Sequence, residues 1–394
     1  MGSLLIRHTR LGDKTTDILV VDGRFASLSA PAGTEADETI DATGTAILPP
    51  FYNTHTHAAM SLLRGYADDM PLQRWLNEYI WPYENKMTAA DIREGSRLAI
   101  REMIQTGTVF FSDMYFEIGE TIAVAQEFGI RAAIGVTFVE SHSKSQQEEK
   151  LEMLRQWVDP TNGLITLTVA PHAIYTVGSG LLVKCAEVAR SLGMKLHIHL
   201  SETRKEVEDC LREHGTTPVR YLDSLGFLGP DVIAAHVVHV DEEEAAILAS
   251  RGVTIAHCPC SNLKLASGIF PYKLLNDAGC RIALGTDGDS SNNNLDMREE
   301  MKFAALLAKA SSGNPEVMPA DEALAMATRN GAAAFGIDAG VIQEGKLADA
   351  LLVRLDDVRM QPCHNLVSNW VYAAGSSCID TVICNGKILM RRNG

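Results

Sequence analysis

No stretch of this 394-residue chain approaches the roughly 20 apolar residues that span a bilayer, so no membrane-spanning helix is expected. The opening MGSLLIRHTR lacks the apolar core of a secretory signal, and Ile6 stands where a myristoylation signal takes Ser or Thr. Positive charge is scarce. The 35 Lys and Arg are outnumbered by 50 Asp and Glu, giving a formal net charge of -15 with no basic stripe, which argues against nucleic acid as a partner. The 8 cysteines are scattered, and the one close pair, Cys258 and Cys260, is CxC rather than CxxC. That usage reads as free thiols in a reducing cytoplasm, not as a disulfide framework.

What is present is a large apolar inventory, 46% of residues, in a chain long enough for a big barrel plus an appendage. The two ends read as β-structure. DILVVDGRFASLSA, residues 17–30, alternates about an Asp-Gly turn, and DTVICNGKILM, residues 380–390, turns at Asn385-Gly386. Between them eight apolar runs alternate with helical segments: AILPPFYNTHTH from Ala46, VFFSDM from Val109, RAAIGVTFV from Arg131, ITLTVAPH from Ile165, KLHIHLSE from Lys195, VIAAHVVH from Val232, TIAHCPCSN from Thr254 and RIALGTDG from Arg281. One helical segment, TAADIREGSRLAIREMIQTG, opens on a Thr cap at Thr88 and closes on Gly107. Continuous apolar strands alternating with amphipathic helices call for a parallel sheet covered on both faces, and eight units in about 250 residues match a closed (β/α)₈ TIM barrel. The expected organisation is a barrel over 49–344 and a small composite β-sandwich from 1–48 with 345–394. An open doubly wound sheet is the weaker alternative, because no Gly-rich phosphate loop follows the first strand.

The ends of these runs carry the chemistry. His55, His57, His172, His197, His199, Glu202, His236, His239, His257 and Asp287 all stand at strand ends or just inside or beyond them, which gathers most of the chain's 12 histidines into one ring of positions. His55 and His57 share a strand face because side chains alternate with period two, so both imidazoles reach one point. Histidine together with carboxylate suits zinc or another borderline divalent ion. His197 and His199 also share a face, and geometry alone does not choose between them.

NTHTHAAMSLLRGYADDMPLQRWLNEYIWPYE, HIHLSETRKEVED, SNLKLASG and LGTDGDSSNNNLDM, in that order, resemble the amidohydrolase superfamily. Within it they are most similar to the deaminases of 5'-methylthioadenosine and S-adenosylhomocysteine. The resemblance implies a hydrolytic deaminase of adenosine-type nucleosides holding one divalent metal ion, most simply Zn2+ with Fe2+ or Mn2+ as alternatives, through His55, His57, His199 and Asp287. It implies Glu202 as the acid that protonates the ring nitrogen, Asp287 as the group that moves the proton of water, and His236 as a hydrogen-bonding partner of the attacking oxygen. Glu84 is then expected on the ribose hydroxyls and His172 on the nucleoside, with Trp75 lining the pocket or a lid. His197 is expected behind the metal ligands. A homo-oligomer and a cytoplasmic location complete the expectation.

Two features bear on the substrate. Relatives that handle S-adenosylhomocysteine meet its carboxylate with arginines after strand three, whereas residues 132–154 here contain no arginine and offer only Lys144 and Lys150. A bidentate clamp needs a guanidinium fork, so methylthioadenosine, adenosine or 5'-deoxyadenosine is expected to be preferred. A guanine, pterin or triazine hydrolase is the alternative within the superfamily, and Glu84 fits a ribose better than a bare heterocycle. The short polar run SSNNN after Asp287 reads equally as a loop at the pocket mouth or a plain solvated loop.

Overall fold

The computed structural model describes residues 2–159, 161 and 163–392. Met1, Asn393 and Gly394, at the ends of the expected terminal unit, lie outside the described residues. In chain order the strands are β1 (Ser3–Leu11), β2 (Lys14–Val21), β3 (Arg24–Ser27), β4 (Glu38–Asp41) and β5 (Thr45–Leu48), then β6 (Phe51–Thr56), β7 (Thr108–Tyr115), β8 (Arg131–Phe138), β9 (Ile165–Pro171), β10 (Lys195–Leu200), β11 (Val232–His236), β12 (Thr254–His257) and β13 (Arg281–Leu284), and finally β14 (Ala350–Arg354), β15 (Ile379–Cys384) and β16 (Lys387–Arg391).

β6 to β13 pair in sequence order, every neighbour parallel, with helices such as Ala89–Gln105, Ile118–Phe128 and Ser179–Leu192 covering the outside. The ring closes just beyond β13, where Asp287 N donates to His55 O at 3.0 Å and Thr54 Oγ1 donates to Leu284 O at 2.8 Å. The closure requires glycine at residue 285, since a Cβ there would lie 2.9 Å from the His55 backbone. This is a TIM barrel, and in that fold the reactive groups collect at the C-terminal ends of the strands.

The first apolar run of the sequence is divided in two. Pro49 and Pro50 donate no ladder hydrogen bond, so Thr45–Leu48 leaves the barrel and Phe51–Thr56 begins it. β5 instead joins the terminal strands in a separate mixed sheet of order β16-β15-β14-β5-β1-β2-β3, with β4 beside β1. The two faces of that sheet alternate as period two requires. Ala350 and Leu352 face a cluster with Ile6, Ile18 and Phe25, while Leu351 and Val353 join the barrel's core with Ile379 and Val382.

One buried ionic joint ties the sheet to the barrel. Arg131 Nη1, at the start of β8, donates to Asp349 Oδ2 at 2.6 Å; Tyr52 OH donates to the same oxygen at 2.6 Å, and Asn385 N to Oδ1 at 2.6 Å. Among the described residues no helix is long and apolar enough to cross a membrane, and all eight cysteines are free.

Candidate active site

Three turns carry the site in unusual backbone. Ser201, His236 and Asp287 follow or end β10, β11 and β13 with φ of 50°, 71° and 60°, in the left-handed region that bulky residues avoid. Such conformations persist where surrounding hydrogen bonds over-determine them, and they gather at functional sites.

At the bottom of the cavity His55, His57 and His199 bring one nitrogen each within 4.8 Å of one another, and His55, His236 and Asp287 form an overlapping set. Asp287 Oδ1 lies 3.3 Å from Nε2 of both His55 and His57. The other ring nitrogen of each histidine is taken. His57 Nδ1 donates to Met114 O at 2.6 Å, His199 Nδ1 donates to His172 O at 2.8 Å, and His55 Nδ1 faces His197 Nε2 at 2.9 Å. Backbone carbonyls accept only, so the first two rings carry their proton on Nδ1 and present Nε2 lone pairs to the centre. His197 stands behind His55, with its own Nδ1 3.2 Å from Ser112 Oγ.

This donor set fits a metal ion. His55 Nε2 is buried without a hydrogen-bond partner, although it faces a carboxylate oxygen at 3.3 Å. Burial pushes His55 down to about 4 and His199 well below the usual imidazole range, which keeps these rings neutral, the form that ligates. Burial opposes the charge on Asp287, yet the facing histidines hold its carboxyl well below the usual range. Against the same burial, Asp287 draws His57 up to about 9, so the carboxylate calls for positive charge where the imidazoles converge. The neutral rings of His55 and His199, His57 once an incoming cation displaces its Nε2 proton, and one ionised carboxylate are a set that could hold a borderline divalent cation.

Around this centre the remaining groups are held one by one. Asp287 Oδ2 accepts from Ser261 Oγ at 2.6 Å and Ser291 Oγ at 2.9 Å. His236 Nδ1 lies 2.9 Å from Asn262 Oδ1, so the ring donates there and keeps a lone pair on Nε2, 3.9 Å from Glu202 Oε2. Glu202 Oε1 accepts from Ser267 Oγ at 3.0 Å, and burial raises the Glu202 carboxyl above its ordinary range. The turn beneath it is clamped by Glu206, whose two oxygens accept from Ser201 N at 2.9 Å and Glu202 N at 2.8 Å. Thr203 caps the helix Arg204–His214, so Glu202 itself precedes that helix and faces the cavity.

Above the centre opens a cavity of about 200 Å³ lined by His57, His172, His199, Glu202, His236 and Asp287 on its floor and by Trp75, Glu84, Tyr115 and Leu265 on its walls. Glu84 Oε1 accepts from Tyr115 OH at 2.6 Å, leaving Oε2 for another donor, and burial raises the carboxyl. His172 Nδ1 pairs with Thr176 Oγ1 at 2.8 Å. Trp75 is buried in the short helix Leu72–Trp75, with its indole nitrogen unpartnered. Lys150 reaches the wall and donates to Thr137 O at 2.7 Å, so a cation does stand in the cavity although no arginine does. His239 and His257 are turned to other work: His239 Nε2 donates to Ser267 O at 2.6 Å, and His257 stacks on Phe270 at 4.0 Å.

Comparison with known proteins agrees with this geometry. The amidohydrolase family model matches residues 46–389. The chain belongs to the amidohydrolase family. This amidohydrolase is 49% identical over 366 residues to a 5-methylthioadenosine/S-adenosylhomocysteine deaminase of Moorella thermoacetica, a match covering 92% of the chain and 86% of the relative. It is 43% identical to a 5'-deoxyadenosine deaminase of Methanosphaera stadtmanae, over 98% and 93% of the two chains. Its fold superposes with a TM-score of 0.89 on an adenosine deaminase of Xanthomonas campestris with bound zinc, at 34% identity and covering 98% and 92% of the two chains.

Sequence reasoning missed most of the groups that hold the reactive ones. Ser261, Asn262 and Ser267 all lie in the SNLKLASG motif, where polar residues directly after an apolar strand were the available signal. The SSNNN run is not a solvated loop at the mouth over its first part: Ser290, Ser291 and Asn292 are buried in a short helix, Asp289–Asn292. Tyr115 left no mark in the sequence, being one more apolar-looking strand residue.

Proposed function

We propose that this amidohydrolase deaminates adenosine-type nucleosides, holding one divalent cation, most simply zinc, through His55, His57, His199 and Asp287. The reading rests on one observation above the others: Asp287 and Glu202, two carboxyls in the same cavity, are driven to opposite protonation preferences by their surroundings. When bound, the ion supplies Lewis acidity that makes water a competent nucleophile near neutral pH.

The protein's own groups do the rest. Asp287 Oδ2 is held by two serine hydroxyls, whereas Oδ1, which accepts from Gly288 N at 2.9 Å, faces the imidazoles and is the oxygen turned toward the attacking water to take its proton. Glu202, whose carboxyl burial raises above its ordinary range, donates in its protonated form to the ring nitrogen beside the amino-bearing carbon as that carbon becomes tetrahedral. His236 Nε2 accepts a hydrogen bond from the attacking oxygen and fixes its direction. Asp287 then passes its proton to the departing amine and ammonia leaves; the remaining hydroxyl proton returns to Glu202, so the ring keeps a carbonyl oxygen as the inosine analogue and both carboxyls end as they began. Glu84 Oε2 accepts from ribose hydroxyls, His172 contacts the nucleoside, and Trp75 packs on the base or ribose.

Lys150 offers a point charge, already donating to a carbonyl, where a carboxylate-bearing 5' substituent would want a fork. Turnover of methylthioadenosine, adenosine and 5'-deoxyadenosine is therefore expected to exceed that of S-adenosylhomocysteine. Ammonia release from zinc-loaded protein across these four nucleosides tests both levels. Absence of release from all four refutes the function, and preference for the homocysteine conjugate refutes the specificity. Free thiols throughout support a cytoplasmic setting.

A further inference from the structure

The helix Met297–Ser312 buries one face, made of Met297, Met301, Ala304, Ala305 and Ala308, and in the middle of that face stands a carboxylate, Glu300, fully buried. No ion pair to it exists among the described residues. Its two oxygens reach different loops. Oε1 accepts from Asn292 Nδ2 at 2.6 Å, in the segment after β13, and Oε2 accepts from Cys260 N at 3.0 Å, in the segment after β12. Asn292 Nδ2 also donates to Thr286 O at 2.7 Å, next to Asp287.

Those are the segments that orient the chemistry. Directly beside Cys260 are Ser261, on Asp287 Oδ2, and Asn262, on His236 Nδ1; directly beside Asn292 is Ser291, on Asp287 Oδ2. A buried carboxyl without a cation is costly, and an apolar side chain would fit the rest of this helix face better. What the site gains for that cost is a cross-link between the two loops. We propose that Glu300 is a positioning residue: by joining the Cys260 and Asn292 segments it fixes Ser261, Ser291 and Asn262, and through them the aim of the Asp287 carboxylate and of His236 Nε2.

The proposal deepens the deaminase reading and rests on it for its kinetic test, while its metal test stands alone. Glu300→Gln places an amide nitrogen, which cannot accept, opposite one of the two N–H donors, whereas the carboxyl offers two accepting oxygens in either protonation state; Asn292→Ala cuts the same link from the far side. In each variant kcat is expected to fall about 10-fold or more with KM within about twofold, since displacing reacting groups by a fraction of an ångström costs orders of magnitude in rate. Transfer of bound zinc to a chromophoric chelator, measured without substrate, is expected to speed up about fivefold or more. Adding Ser291→Ala to Glu300→Gln is expected to lower kcat by less than the product of the single effects, because both act on one oxygen. The proposal is overturned if folded variants keep kcat and zinc release within twofold of the parent, if the effects multiply, or if neither variant folds, which would make Glu300 a packing element only. Faster zinc release beside a parent protein that deaminates no nucleoside would sink the function and leave the positioning role standing.

Discussion

Glu202 is set apart from ordinary surface carboxylates by its burial, and among the described residues the hydroxyl of Ser267 donates to it. With proton donation as its proposed part, Glu202→Gln is expected to lower kcat by about 10²- to 10⁴-fold while bound metal stays stoichiometric, checked by steady-state kinetics beside elemental analysis. His55 acts differently. It lies beneath the centre, its Nδ1 occupied by His197, so His55→Ala is expected to remove both the metal and the activity, and added zinc is expected not to restore either. Residues at the ends of two different strands, β10 and β6, thus give variants with opposite metal contents, a pattern that a merely structural cluster would not produce.

The joint between β8 and β14 illustrates energetics at the level of elements. Arg131, Asp349 and Tyr52 are all buried, and each depends on the others for its polar partners. Asp349→Ala would leave the guanidinium uncompensated and is expected to cost about 3–5 kcal/mol, whereas Arg131→Met with Asp349→Leu is expected to recover most of that loss. Urea unfolding of the three variants measures it. Glu300 adds a dependence on pH. Burial without a cation raises its carboxyl from 4.5 to about 8, so between these values the folded chain holds a proton that the unfolded chain releases. The stabilisation is complete below about 4.5 and is lost as pH rises through about 8, with a slope of at most about 1.4 kcal/mol per pH unit. Glu300→Gln is expected to flatten that part of the stability–pH curve; an unchanged slope would show that the carboxyl titrates normally.

On the scale of the molecule the barrel and the terminal sheet form a continuous apolar interior, since Leu351, Val353, Ile379 and Val382 pack with barrel residues. We propose that 1–48 with 345–394 nonetheless constitutes one structural unit and 49–344 the other, the division falling at Pro49-Pro50. Ligand binding to the folded state adds stability by mass action, so stripping metal with a chelator is expected to lower the melting temperature as well as abolish ammonia release, and zinc to restore both. A melting curve insensitive to chelator would contradict a resident metal.

The sequence alone determined the eight-fold alternation, the two terminal hairpins and the ring of histidines, because strand period and turn chemistry are local properties written residue by residue. It also exposed the HTH pair, whose common face follows from the pleat. It put the boundary of the terminal unit at 48/49 yet counted residues 46–48 in the first barrel run, because whether an apolar segment pairs with barrel or terminal sheet depends on partners hundreds of residues away. Nor did it single out Asn262, Ser267, Ser291 or Glu206 as the groups that orient His236, Glu202 and Asp287. Glu300 was not singled out either, since the sequence shows it only as the second of two adjacent glutamates. Only the closed barrel brings the segments after β12 and β13 side by side, and hydrogen bonds across that junction are a product of closure rather than of any local pattern.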